Sequence, residues 1–160
     1  MTPGDICSLC KNKSTNIVDP TNSFQFIINC ACCGKYVITY ELQQDIPSYK
    51  LTSDETVAII GFLRNTDATI TLTNDNINEL RKQNIPNPFR RSEMLIKLIA
   101  VESEGIGKFV KYNEEKWQGQ SYSKDRQELD YLLNEYLVTL GYLKNNPALE
   151  SYMLTPKGWE

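Results

Sequence analysis

The stretch NCACCGKY (29–36) places Cys30, Cys32 and Cys33 within four positions, and ICSLC (6–10) adds Cys7 and Cys10 upstream. The five cysteines of the chain therefore all lie in its first 33 residues. Two C-x2-C pairs separated by nineteen residues are typical of a site in which four thiolates hold one metal ion. We predict that four cysteines bind one zinc ion per chain. They are Cys7 and Cys10 of the first pair, and Cys30 and Cys33, the outer two of the second cluster.

Cys32 is the spare thiol, because it lies inside the second turn and would chelate poorly together with its neighbour Cys33. Gly34 supplies the left-handed residue that such a turn needs, and Asn12 is the nearest tolerant residue after the first pair. Four thiolates leave no open coordination position, so the metal is expected to be structural. Iron could occupy the same ligands, and paired disulfides are a disfavoured alternative in a reducing compartment with an odd number of cysteines.

Composition places the chain among cytoplasmic globular proteins. Its 160 residues carry a net charge of −3, and its start lacks the basic and apolar regions of a secretory signal. No apolar run approaches the length of a membrane span, so no membrane partner is expected. The chain has no histidine, which excludes histidine metal ligands and nucleophiles activated by histidine.

Residues 1–46 are predicted to form a zinc ribbon. SFQFIINC (23–30) and KYVITYEL (35–42) are rich in β-branched and aromatic residues and are predicted strands on either side of the second cysteine pair. A segment this short cannot bury enough apolar surface to fold alone. Zinc can supply on the order of 10 kcal/mol of folding free energy to such a segment.

Residues 47–86 are predicted to be a helical connector, beginning where Pro47 breaks the strand pattern. Thr52 and Glu55 match a capping box at the start of the first helix, and 76–82 is predicted to be a second, short helix. The sequence NIPNP (84–88) marks a boundary between two parts of the chain.

Residues 87–160 are predicted to form a winged-helix-like domain. Asn87 and Pro88 begin a helix that is expected to end at Glu104-Gly105, and a mainly irregular segment follows. The strongest helix begins at the cap Asp125 and ends at Gly141. A hairpin pairs 142–144 with 152–154, and a last helix starts at Pro156 and is expected to continue past residue 160. A helix, a short hairpin and a final cap are the outline of a winged helix.

The predicted fold class is therefore α+β, with an N-terminal four-cysteine zinc ribbon, a helical middle and a C-terminal winged-helix-like module. The segments CSLC, CACCGKYVIT, ELDYLLNEYLVTLGYL and YMLTPKGWE together resemble the N-terminal region of bacterial multidomain proteins. In those proteins a zinc ribbon and a winged-helix-like module precede a TIR-like or nucleoside-deoxyribosyltransferase-like effector domain, and several are associated with antiviral defence against phage. The middle of the chain, from Leu51 to Pro86, contributes little to the resemblance.

The resemblance implies a non-catalytic module that docks, regulates or oligomerises a linked effector, with any catalysis in a downstream domain. No catalytic or cofactor-binding residue is assigned, and a homo-oligomer is an open alternative. The helix from Asp125 to Leu140 carries four acidic residues and one arginine, so duplex DNA is not an expected partner.

The alternative function is a DNA- or nucleotide-binding regulator. The segment from Phe89 to Arg126 has eight basic residues against six acidic ones, with the aromatic residues Tyr112, Trp117 and Tyr122 nearby, and could contact a nucleotide or nucleic acid. Within it, Arg90 and Arg91 are expected to be solvated, Glu114 and Glu115 are not expected to converge, and GIGKF (105–109) lacks the spacing of a phosphate loop.

Overall fold

The strands predicted beside the second cysteine pair are neighbours in one sheet. In the computed structural model, which describes residues 4–103 and 107–159, β2 (Asn22–Cys30) pairs antiparallel with β3 (Gly34–Thr39). Two strands that the pattern did not predict complete the sheet. β1 (Ser14–Asp19) pairs antiparallel with β2, and β4 (Thr71–Leu72) pairs parallel with β3, giving the order β1-β2-β3-β4.

The prediction of a strand as far as residue 42 is wrong, because β3 ends at Thr39 and a helix begins there. The Thr39 hydroxyl accepts a hydrogen bond from the backbone N–H of Leu42 at 3.2 Å and caps α1 (Tyr40–Tyr49). Leu42 and Ile46, one helical turn apart, are both buried. This helical burial outweighs the β propensity of the segment, and α1 accommodates Pro47 in its last turn.

The capping box predicted at the next helix is confirmed. The hydroxyl of Thr52 accepts from the N–H of Glu55, and the Glu55 carboxylate accepts from the N–H of Thr52, at the start of α2 (Ser53–Asn65). The short helix α3 (Ile77–Arg81) follows β4, and its Arg81 donates to the Glu55 carboxylate at 2.6 Å. The chain from 1 to 85 forms one unit, so the segment 47–85 packs with the cysteine-bearing strands.

The core of this first unit lies between the sheet and its helices and is continuous with the cysteines. Its fully buried members come from every part of the unit; among them are Phe26, Ile28, Ile38, Leu42, Ile59, Leu72 and Ile77. Cys7 and Cys33 are buried in the same cluster. The cysteines are therefore part of the hydrophobic core, with Cys10 packed against it.

The second unit, 86–160, begins with the predicted helix. The side chain of Asn87 caps α4 (Pro88–Glu102), with Pro88 at its first position, as predicted. The helix ends at Glu102, and the predicted end at Glu104-Gly105 lies outside the described residues. Strand β5 (Phe109–Lys111) follows.

A helix forms within the segment after α4, where the sequence predicts mainly irregular structure. The side chain of Asn113 accepts from the N–H of Lys116 and caps α5 (Glu114–Gln120). Trp117, which α5 carries, is fully buried. Burial of this large ring gives the short helix its stability, a tertiary effect that a seven-residue polar pattern does not reveal.

The helix predicted from Asp125 is present but changes type along its length. Asp125 caps α6 (Arg126–Asp130), and the chain then continues as a π-helical segment (Tyr131–Val138). The predicted hairpin is confirmed, with Leu143 of β6 (Leu143–Asn146) opposite Leu154 of β7 (Ser151–Leu154).

Strand β7 (Ser151–Leu154) is the centre of a three-stranded antiparallel sheet in the order β5-β7-β6. The final short helix, α7 (Pro156–Trp159), packs its Gly158 against the backbone carbonyl of Tyr142, leaving no room for a Cβ. Across the residues that the structure describes, the fold is mixed, with 46% helix and 24% strand.

Candidate metal centre

The first cysteine pair lies in a tight turn closed by backbone hydrogen bonds. The N–H of Cys7 donates to the carbonyl of Asn12 at 2.8 Å, and the N–H of Lys11 donates back to Cys7 at 3.1 Å. Lys11 is the residue with positive φ, at 64°, so the expectation that Asn12 takes this role is wrong. The Lys11 ammonium also donates to the carbonyl of Ser8 at 2.8 Å, which favours the strained conformation.

The second pair lies in the turn between β2 and β3. Cys30 is the last residue of β2 and faces Gly34, the first residue of β3, across the ladder. Gly34 has a φ of 79°, as the sequence predicts for the residue after Cys33. A Cβ on Gly34 would lie 3.2 Å from the guanidinium of Arg64, so α2 places a cation against this turn.

These two turns bring the four predicted sulfurs together. The Sγ atoms of Cys7, Cys10, Cys30 and Cys33 all lie within 4.8 Å of one another. The Cys7–Cys33 pair is 3.6 Å apart and the Cys10–Cys30 pair 3.4 Å. A tetrahedral metal with bonds of about 2.3 Å to sulfur has sulfur–sulfur edges of about 3.8 Å. The cluster therefore has the dimensions of a four-thiolate site and could hold a metal ion.

All five cysteines are free thiols, which rules out the alternative of paired disulfides in this structure. A disulfide holds its sulfurs about 2.05 Å apart, much closer than the pairs measured in the cluster. Cys32 is only 4% exposed and is not one of the four clustered residues. It lies in the second turn between two cysteines of the cluster, as a small buried thiol.

The charges of the four thiols are strongly linked. Hydrogen bonds from the other thiols, the one from Cys10 foremost, lower the pKa of Cys7, so one thiolate forms readily. Interactions with the same neighbours, again led by Cys10, together with burial raise the pKa of Cys33 far above its ordinary value. Several buried thiolates in contact repel one another, and a divalent cation among them reverses that penalty.

Tyr36 supports the cluster from within the core. Its ring is fully buried, and its hydroxyl lies 3.1 Å from the Sγ of Cys7. Burial, followed by the nearby Cys7 sulfur, raises the pKa of Tyr36, so the phenol stays protonated and can donate to a thiolate. Sequence reasoning missed Tyr36 and Arg64, since neither side chain belongs to the cysteine spacing. The strand alternation alone marks Tyr36 as an inward-facing residue.

The segment between Phe89 and Arg126 does not form a simple basic surface. Arg91, expected to be solvated, is only 9% exposed and donates through Nε to the carbonyl of Ser121 at 2.7 Å. It also approaches the Glu128 carboxylate at 3.4 Å. Arg90 is the exposed member of the pair and bonds Glu93 at 3.2 Å. The two adjacent arginines point into different environments because successive helical positions are about 100° apart.

Other charges in this segment are also paired. Lys116 contacts Glu102 at 2.9 Å, and Arg126 lies 3.6 to 3.9 Å from Asp130, Glu114 and Glu150. Glu115 is exposed while Glu114 belongs to this ion-pair network, so the structure does not join them in one site. The motif GIGKF (105–109) lies partly outside the described residues.

Comparison with protein-family models, with curated proteins and with solved structures finds no match for this chain.

None of the helices within residues 4–103 and 107–159 combines the length and apolar character that crossing a bilayer would require.

Proposed function

We propose that the chain is a non-catalytic binding module whose first unit is a zinc ribbon stabilised by one structural zinc ion. The observation that carries this proposal is the convergence of four cysteine sulfurs within 4.8 Å of one another in the hydrophobic core of the first unit. Zinc is the favoured metal, because it is redox-inert, binds thiolate strongly and adopts tetrahedral four-coordination. With all four positions filled by protein, the ion has no place for a reacting water or substrate.

The metal has a clear mechanical role in this unit. Cys7 and Cys10 lie on a turn before β1, whereas Cys30 and Cys33 lie on the turn between β2 and β3. An ion bound to all four joins the N-terminal turn to the hairpin. Because unfolding would disrupt the site, the binding free energy of the metal adds directly to the stability of the fold.

We further propose that the second unit is a winged-helix-like module that binds protein. Its capped helix and the hairpin β6–β7 would be the helix and the wing of such a module. Along that helix, Asp125 and Glu135 are exposed, and the guanidinium of Arg126 is surrounded by carboxylates. An acidic helix face repels a duplex phosphate backbone, so a protein partner is favoured over DNA.

The partner that we favour is a linked effector domain of the TIR-like or deoxyribosyltransferase-like class, in a bacterial defence protein. The resemblance of the cysteine motifs and of the C-terminal segments to such proteins supports this choice. The ribbon and the winged-helix-like unit would then dock, regulate or oligomerise the effector, which would perform the catalysis.

The test compares two serine substitutions only two residues apart. Cys30→Ser removes one of the four clustered sulfurs, and Cys32→Ser removes the spare thiol, although both thiols are buried. Native mass spectrometry should show one bound zinc in wild type and in Cys32→Ser, and loss of that zinc in Cys30→Ser. If Cys30→Ser keeps the bound zinc and Cys32→Ser loses it, the ligand assignment is refuted.

Chelation of the wild-type protein tests the structural role. Both tryptophans, Trp117 and Trp159, belong to the second unit and report on it alone. Removing zinc should therefore lower the far-ultraviolet circular dichroism signal while tryptophan emission stays unchanged. A protein that keeps its full signal after exhaustive chelation, with no metal ever detected, would overturn the proposal.

Duplex DNA separates the two candidate functions. A gel shift near physiological salt should show negligible binding. Sub-micromolar, salt-sensitive binding would favour the alternative of a DNA-binding regulator.

A further inference from the structure

The second unit contains an aromatic pocket that lies apart from the cysteines and takes no part in the proposed metal site. It has a volume of about 420 Å³ and lies between α4, the end of the π-helical segment, Tyr142 and α7. That volume is within the range of about 300–1,000 Å³ that small-molecule sites occupy. Four aromatic side chains line it: Phe89, Tyr136, Tyr142 and Trp159.

Two of these rings are unusually accessible for their size. Phe89 is 55% exposed and Trp159 is 38% exposed. They line the same pocket as the half-buried Ile96 and the buried Leu137. Aromatic faces with an aliphatic lining provide a stacking surface for a flat ring, since offset and edge contacts between rings are favourable.

The charged groups of the pocket favour an anion. Lys97 and Lys157 both line it, and its one carboxylate, Glu93, is already paired with Arg90 at 3.2 Å. The Lys157 ammonium is held in place, because it donates to the carbonyl of Leu140 at 2.9 Å.

The ring of Tyr142 contributes to the same arrangement, since the Lys157 ammonium lies 4.8 Å from its centre. One aromatic wall of the pocket therefore carries a positioned positive charge.

The wall of the pocket is firmly built and includes a polar group without a partner. Gly158 packs against the Tyr142 carbonyl without space for a side chain, which fixes α7 beside the pocket. Ser92 lines the pocket and is 2% exposed, and its Oγ has no hydrogen-bond partner among the described residues. Buried hydroxyls without a partner are uncommon in folded proteins.

We propose that this pocket binds a small planar aromatic molecule that carries one anionic group. The ring stacks against Phe89 and Trp159, and the anionic group lies towards Lys97 and Lys157. Phosphate and carboxylate share this chemistry, so an aromatic nucleotide and an aromatic carboxylic acid are two sources of the same kind of ligand. The inference depends on the second unit alone and stands or falls independently of the zinc site.

The first experiment uses a matched pair of fluorescent probes with the full chain. Anilinonaphthalene sulfonate is a flat aromatic anion, and N-phenyl-1-naphthylamine is its neutral counterpart. We expect saturable binding of the anion with quenching of the exposed Trp159, and clearly weaker binding of the neutral probe. The quenching should be smaller in Trp159→Phe, in which Trp117 is the one tryptophan left to transfer energy to the bound probe.

Substitutions locate the binding. Phe89→Ala should lower the affinity for the anionic probe about tenfold. Phe109→Ala, which removes an exposed ring on β5, should leave that affinity unchanged. Lys97→Gln should lower the affinity for the anionic probe by up to about fivefold and leave the affinity for the neutral probe unchanged. Lys144→Gln on β6 is the control and should change neither affinity. Ala100→Phe fills the pocket and should abolish binding.

Competition then identifies the anionic group. Displacement of the probe by adenosine monophosphate indicates a phosphate ligand, and displacement by 1-naphthoate indicates a carboxylate. Displacement by neither compound, equal affinity for the neutral probe, or binding unaffected by Ala100→Phe would each overturn the proposal.

Discussion

The hydroxyl of Tyr36 offers the sharpest test of how the core supports the metal centre. Tyr36→Phe removes one oxygen atom and leaves the buried ring in place, so the packing of the first unit is preserved. What is lost is the hydrogen bond to the Sγ of Cys7, which spans 3.1 Å. The substitution therefore isolates a single polar contact beside a metal ligand.

The size of the effect depends on whether the sulfur is charged. A hydrogen bond to a charged group contributes about 1.5–3 kcal/mol, and one between neutral groups about 0.5–1.5 kcal/mol. In the zinc-bound protein Cys7 is a thiolate ligand, and the hydroxyl of Tyr36 both stabilises its charge and holds it in position. Tyr36→Phe should thus lower zinc affinity about tenfold to a hundredfold, as is usual when a partner of a metal ligand is removed.

A chelator competition measures this difference directly. Wild type, Tyr36→Phe and Tyr49→Phe are each titrated with a chromogenic zinc chelator at neutral pH. Tyr49 is the matched control, because it is half-buried in the same unit and its hydroxyl donates at 3.5 Å to the carbonyl of Asn74 rather than to a sulfur. Thermal unfolding of the zinc-bound forms should follow the same order.

Two results would refute the reasoning. Equal zinc affinity in wild type and Tyr36→Phe would show that the phenol does not stabilise the thiolate. An equal loss of zinc affinity in Tyr49→Phe would show that the lower affinity comes from general destabilisation of the first unit.

Three further predictions concern the two units separately. Arg91→Ala should destabilise the second unit by about 2–3 kcal/mol, because it removes the donor to a buried carbonyl and a buried hydroxyl group. Arg90→Ala should change the stability of that unit by less than about 0.5 kcal/mol, and urea unfolding followed by tryptophan emission measures both variants. Gly158→Ala should lower the melting temperature of the same unit, since its Cβ would overlap a backbone carbonyl, and an unchanged melting temperature would contradict that packing. The hydrogen bond from Arg81 lowers the pKa of Glu55 to about 2, so the ion pair stabilises the fold fully above the unfolded pKa of about 4.5 and loses this effect as pH falls towards 2. The difference in thermal stability between wild type and Glu55→Gln should therefore narrow as pH falls through that range. A difference that stays constant with pH would count against the ion pair.

The features that could be predicted from sequence depend on groups close together in the chain. The caps at Thr52, Asn87 and Asp125 each join a side chain to a backbone N–H three residues on, so the sequence pattern contains the whole interaction. The hairpin and the positive φ of Gly34 are local in the same sense. The metal-ligand set follows from spacing together with thiolate chemistry.

Prediction failed where a distant partner decides the conformation. Strand β4 pairs with β3, which lies more than thirty residues earlier in the chain. Helix α5 forms because Trp117 enters a core built from other elements. Its seven residues alone would not sustain a helix.

The amino-acid sequence by itself determined which four cysteines are spaced to hold one ion, and where the capped helices begin. Only the tertiary structure decided that Tyr36 meets Cys7, that Arg91 is buried while Arg90 is exposed, and that four aromatic rings surround one pocket. The physical reason is one of range. Capping and chelate spacing act over a few bonds of chain, whereas burial and charge pairing depend on which distant surfaces the whole fold brings together.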